Sequence, residues 1–112
     1  MTATETDVAL ARLADALRRL AASTSDSSAI NSAGYYIRLL EATPPSHGEN
    51  LVRRIRDALN DPKTDFTDSM DHSESFRAAR GAAYGAAQSA INHYIGLRRP
   101  DLAFVVKPER EA

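Results

Sequence analysis

The chain has 112 residues, of which 43% are hydrophobic and 26% are charged, a balance typical of one globular domain with a single core. It contains no cysteine, which excludes a disulfide framework, thiol chemistry and cysteine-based zinc sites. Its formal net charge of −1 gives no general attraction to nucleic acid or anionic membranes, so any such contact requires a local patch.

The first nine residues carry Glu5 and Asp7 and lack a basic start followed by an apolar run. No signal peptide is therefore predicted, and we expect a cytoplasmic location. Lys63 and Lys107 are the only lysines beside many arginines and alanines, a bias that indicates a GC-rich genome. We therefore expect a bacterial chain and treat the arginine content as mostly compositional.

The first predicted helix covers about residues 7–22, with Thr4 and Asp7 as its start signal. This helix has an apolar stripe, and charged residues such as Arg12, Asp15 and Arg19 lie outside that stripe. A polar connector over 23–28 follows, in which Asp26, Ser27 or Ser28 is expected to cap the second helix. The apolar stripe of the first helix comprises Leu10, Leu13, Ala14, Leu17, Leu20 and Ala21.

The second predicted helix covers about residues 28–42 and ends before Pro44 and Pro45, which disfavour a helical conformation. Gly34 beside Tyr35 matches Gly85 beside Tyr84 further on, and this similarity predicts that the two faces meet. The apolar stripe of the second helix comprises Ile30, Ala33, Ile37 and Leu40.

The third predicted helix covers residues 49–60, and Ser46 with Glu49 predicts a capping box at its start. Its buried residues are expected to be Leu51, Val52, Ile55 and Leu59. Its opposite face is basic, with Arg53, Arg54 and Arg56.

The fourth predicted helix, over residues 68–99, is about 32 residues and about 48 Å long. Gly81 and Gly85 in its interior each cost up to about 1 kcal/mol relative to alanine, and close approach of another helix would offset that cost. Arg77 and Arg80 interrupt the apolar run, so no membrane span is predicted. One face carries only short or small polar side chains: Ala78, Ala82, Gly85, Ser89, Asn92 and Gly96.

This small-residue face has two possible packing partners. One is the chain's own helices, and the other is a second copy of the chain or another protein. A β-prone tail, Leu102 to Val106, follows Pro100 and has two interpretations of its own. It either folds back over the end of the bundle or adds as an edge strand to another protein.

No catalytic, metal or cofactor site is predicted. Asp68 and His72 share a helix face, but a metal site normally needs three or four converging ligands. The segment from Asp65 lacks the glycine and glutamate of a calcium loop. There is no glycine-rich phosphate loop and no Gly-x-Ser-x-Gly motif, and His93 beside Tyr94 is the one cluster worth inspection in a pocket. We do not expect an enzyme.

The sequence therefore predicts an all-α, four-helix bundle-like domain over residues 1–112, with one long C-terminal helix and an extended tail over 101–112. We predict a non-enzymatic interaction module that self-associates through the small-residue face or binds another protein, as a small regulator, adaptor or accessory subunit. The alternative is a DNA-binding regulator whose Arg53, Arg54 and Arg56 contact phosphates. The long connector over 43–48 and the acidic residues downstream disfavour it.

Overall fold

The computed structural model describes residues 4–67 and 69–98. Within them the chain forms α1 (Glu5–Ala22), α2 (Ser27–Ala42), α3 (Glu49–Asn60) and α4 (Glu74–Arg98), with a short 3-10 turn (Pro45–His47) before α3. These residues contain no strand, and the predicted all-α fold with a long C-terminal helix is confirmed. The predicted extended tail lies outside the described residues.

Helices α1 and α4 pack against each other at the centre of the fold, where α2 packs on α1, α3 packs on α4, and α2 also contacts α3. We expected the three shorter helices to pack along α4, and this is wrong for α2.

Thr4 caps α1 in a capping box, its hydroxyl accepting from the amide of Asp7 and its amide donating to the Asp7 carboxylate. The predicted stripe is confirmed: Leu10, Leu13, Ala14, Leu17 and Leu20 are buried.

Helix α2 begins after Asp26, whose carboxylate accepts from the amides of Ser28 and Ala29. The predicted apolar stripe is partly wrong, because Ile30 is exposed and the buried residues are Ala29, Ala33 and Leu40. The small side chains of α2 face the core, which turns the larger Ile30 towards solvent.

The predicted contact between the glycine faces of α2 and α4 is also wrong. Helix α2 packs on α1, and a Cβ added at Gly85 would meet no atom within 4 Å. A Cβ added at Gly34 would approach only Arg38 of its own helix. The matching glycine and tyrosine pairs therefore do not mark a shared interface within the chain.

Helix α3 has the predicted bounds, and Leu51, Val52, Ile55 and Leu59 are buried as expected. The predicted capping box is wrong, because Ser46 lies inside the 3-10 turn and Gly48 precedes the helix without a side-chain cap. The Glu49 carboxylate instead accepts hydrogen bonds from Arg53 and from Arg98 of α4. Glu49 is the first residue of α3, so it does not hold the third position that a capping box requires.

Helix α4 begins at Glu74 rather than at residue 68, so its 25 residues span about 38 Å. Residues 69–73 are not helical, because the Ser69 hydroxyl and the Met70 amide donate to Asp26, at 2.6 and 3.2 Å. The Ser73 hydroxyl then accepts from the amide of Phe76, as a cap does. The helix continues without a break through both interior glycines.

Candidate functional site

The two faces of α4 have opposite environments. Its buried face packs against α1 and α3 and comprises Phe76, Ala83, Ala87, Ala90, Ile91 and Tyr94. On the other side lie the predicted interaction residues, all of them exposed: Ala78, Ala82, Gly85, Ser89 and Asn92. Within the described residues, therefore, the small-residue face does not pack against the chain's own helices.

The two interior glycines of α4 lie on or beside this exposed face. A Cβ added to Gly81 or to Gly85 would meet no atom within 4 Å. The close backbone approach that would offset their helix-propensity cost is thus not made by the described part of the chain.

Beside the small-residue face, α1 and α4 border two open cavities of about 450 and 490 Å³. Arg12 lines both, and we call the two together the α1–α4 groove. The first cavity is lined by Glu5, Val8, Ala9, Arg12, Ala86, Ser89 and His93. The second is lined by Arg12, Asp15, Ala16, Arg19, Ala78, Ala79 and Ala82.

The groove has a floor of small side chains and a charged rim. Ala9 and Ala16 of α1 and the alanines of α4 provide the floor. The rim is one stripe of α1 at helical spacing: Glu5, Arg12, Asp15 and Arg19. Asp15 accepts from Arg18 at 3.1 Å. A narrow, shallow floor between two helices accommodates another helix at a short interaxial distance.

The sequence identified the α4 side of this groove but not its α1 side. The signal was present as a second α1 stripe in which Ala9 and Ala16 alternate with Glu5, Arg12 and Arg19. Whether such a stripe borders a groove depends on how α1 is rotated relative to α4, and periodicity within one helix does not report that rotation.

His93 lines the first cavity, where its Nε2 lies 2.7 Å from the Thr6 hydroxyl oxygen. Its ring packs edge-on against Tyr94, with ring centroids 6.0 Å apart. The neighbouring Asn92 turns outward and accepts from Gln88 at 3.2 Å. The contact with Thr6 therefore ties α4 to α1, and Glu5 lines the same cavity as the histidine.

The three arginines of the alternative nucleic-acid face do not converge. Arg53 forms an ion pair with Glu49 at 2.9 Å, and Arg56 forms one with Asp57 at 3.0 Å. Arg54 is exposed. At 100° per residue the three side chains leave α3 over an arc of about 160°. The three arginines therefore do not form one compact basic patch, and acidic neighbours already balance the charges of Arg53 and Arg56.

Asp26 and Glu49, whose carboxyl pKa values are lowered, lie outside the groove, and each joins two elements of the fold. The hydrogen bond from Ser69 lowers the pKa of Asp26, and the one from Arg98 lowers the pKa of Glu49. In the described segments no three histidine or acidic side chains come together in a way that would hold a metal ion. None of the helices described is both long enough and apolar enough to cross a bilayer.

Comparison with protein-family models, with curated proteins and with solved structures found no match. The fold and the site therefore define the class: a small all-α protein in which the outer face of the longest helix borders an open two-helix groove.

Proposed function

We propose that this chain is a non-enzymatic interaction module that binds a helical partner through the small-residue face of α4 and the adjoining α1–α4 groove, as a small regulator, adaptor or accessory subunit. The exposed small-residue face carries the proposal, because its two glycines leave open space where side chains would lie. Glycine inside a helix is unfavourable unless something gains from the missing side chain. A helix packed against this face gains close contact along the backbone.

The shape of the groove supports a helical partner over a small molecule. Its two cavities run side by side along α1 and α4, and each is open to solvent rather than enclosed. Pockets for small ligands are instead mostly apolar clefts that bury most of the ligand surface. The floor between Ala78 and Ser89 is about 16 Å long, which suits three turns of a docked helix.

Site-specific photo-crosslinking in the cells that naturally express the chain tests this function. A photoreactive phenylalanine analogue replaces Ser89 inside the groove or, as a matched control, the exposed Asn31 on α2. We expect a discrete adduct from position 89 and none from position 31. Gly85→Leu should abolish the adduct, since its side chain fills the space that the partner backbone needs.

Gly85→Leu is a suitable blocking variant because the isolated chain should tolerate it. A Cβ at this position meets nothing within 4 Å, and leucine is a better helix former than glycine. Circular dichroism should show unchanged helix content. Absence of an adduct at position 89, or an adduct that persists in the Gly85→Leu chain, would contradict the proposed function.

A further inference from the structure

The α1–α4 groove has an approximate midpoint that relates its two halves. Helix α1 runs antiparallel to α4, since Thr6 lies at His93 while Arg19 and Ala78 line the same cavity. Arg12 lies at the junction of the two cavities, midway between the rim residues Glu5 and Arg19. Alanines of both helices line each half, and Val8 and His93 line the first half in addition.

The charges on the rim are opposite at its two ends. Glu5 lies at one end and Arg19 at the other, about 21 Å away along α1. Neither side chain forms a hydrogen bond or an ion pair with another side chain of the described residues, and the same holds for Arg12 between them. The rim thus presents one acidic and one basic end to whatever occupies the groove.

From this layout we infer that the occupant is a second copy of the chain, docked antiparallel across a two-fold axis at the level of Arg12 and Gly85. This arrangement places α1 on α1 and α4 on α4, and it brings Glu5 of each copy to Arg19 of the other. The inference rests on the proposed function, because it names the partner of the same groove. A parallel copy would instead place like charges together at both ends.

Groups near the axis are compatible with this pairing. The two Arg12 side chains approach each other there, and Asp15 of the opposite copy lies within one turn to offset their repulsion. Asp15 already holds Arg18 at 3.1 Å and is exposed enough to accept a second guanidinium. The two Gly85 residues face each other, so the α4 backbones meet where no side chain separates them. An isologous contact of this kind is the commonest route to a closed dimer.

The size of the face sets the expected affinity. A surface two helices wide and about 21 Å long is at or below the roughly 800 Å² per partner of a standard interface. We therefore expect a dissociation constant in the micromolar range, and the mass must be measured across concentrations that bracket it.

A charge-exchange experiment tests the inference by sedimentation equilibrium on four samples: the wild type, Glu5→Arg, Arg19→Glu, and an equimolar mixture of the two variants. In either variant alone, both rim contacts become like-charged, and we expect dimerisation to weaken by about 10-fold or more. In the mixture, each contact again joins an acid to an arginine. We expect the mixture to regain the dimer affinity of the wild type.

Arg38→Glu is the matched control, because Arg38 is exposed on α2 and outside the groove. It should leave the dimer unchanged, and circular dichroism should show the same helix content for all variants. A wild type that stays monomeric up to millimolar concentration would overturn the inference. So would variants that dimerise normally, or a mixture that fails to recover.

The crosslinking experiment separates failure of this inference from failure of the proposed function. An adduct of twice the chain mass from position 89 agrees with a second copy. An adduct of any other mass keeps the helix-docking function and overturns the self-association. No adduct at all overturns both.

Discussion

The glycines of this chain occupy two opposite environments: Gly48 is crowded by a neighbouring side chain, whereas Gly81 and Gly85 have open space around them. A Cβ added at Gly48 would lie 2.6 Å from the Tyr94 hydroxyl oxygen, a distance that real Cβ atoms do not reach. That hydroxyl donates to the carbonyl of Pro45, and burial raises the pKa of Tyr94. Gly48 is therefore required by packing, whereas Gly81 and Gly85 face open space.

Gly48→Ala should lower the free energy of unfolding by about 1–3 kcal/mol, the usual cost of an overpacked site. Tyr94→Phe alone loses one hydrogen bond and should cost about 1 kcal/mol. Because the phenylalanine lacks the colliding oxygen, the double variant should cost less than the sum of the two. Urea unfolding of all four chains measures this coupling, and strict additivity would contradict the contact.

Gly85→Ala should have the opposite effect on the monomer. Alanine removes the helix-propensity penalty of glycine, so the free energy of unfolding should rise by up to about 1 kcal/mol at concentrations too low for association. Gly48→Ala in the same denaturant titration serves as the destabilising reference. A fall in stability at position 85 would show that part of the chain already packs against that residue.

At the scale of the elements, Asp26 connects the start of α2 to the segment that precedes α4. One carboxylate oxygen accepts from the amide of Ser28 at 2.9 Å, and the other accepts from the Ser69 hydroxyl at 2.6 Å. The Thr24 hydroxyl in the same region lowers the pKa of Asp71. Two acidic side chains thus hold the α1–α2 connector against the start of α4.

This connection predicts a pH dependence of stability that Ser69 controls. The Ser69 hydrogen bond is the largest cause that holds the pKa of Asp26 below its ordinary value of 3.8. The stabilisation is present above the unfolded pKa and is lost as the pH falls through the lower, folded value. Between about pH 5 and pH 2 the Tm of Ser69→Ala should therefore fall less steeply than that of the wild type. Identical slopes would show that the hydrogen bond does not favour the ionised form.

At the scale of the whole molecule, the packing order α2, α1, α4, α3 leaves the outer face of α4 uncovered by the described helices. Helix α2 contributes no residue to the lining of the groove. If the groove binds a second copy, association stabilises the native state by mass action, and Tm should rise with protein concentration. Calorimetry over a hundredfold range of concentration measures this rise, which Gly85→Leu should remove.

The distribution of charge also predicts the behaviour towards nucleic acid. With a net charge of −1, and with Arg53 and Arg56 paired to Glu49 and Asp57, we expect no salt-dependent binding of a labelled DNA fragment. Fluorescence anisotropy at low salt measures this. Binding that weakens steeply with salt, and that vanishes when Arg53, Arg54 and Arg56 are all alanine, would instead support the DNA-binding alternative.

The features predicted correctly are those that depend on short stretches of sequence. The bounds of α3 follow from apolar spacing and from Pro62 just beyond its end, and the α1 stripe follows from leucine periodicity. The small-residue face was located for the same reason. The start of α4 was misplaced because Asp26, more than forty residues away, holds Ser69 and Met70 out of the helix.

Helical periodicity and proline positions are local properties, and they are sufficient to predict the all-α class, the helices and which face of α4 carries small side chains. Only the tertiary structure decided that this face stays exposed and that α1 supplies a charged rim beside it. It also decided that Gly48 and Tyr94 meet, and that Arg98 of α4 binds Glu49 of α3. These outcomes depend on the relative rotation and packing order of whole helices. Many weak contacts between residues far apart in the chain together determine that arrangement.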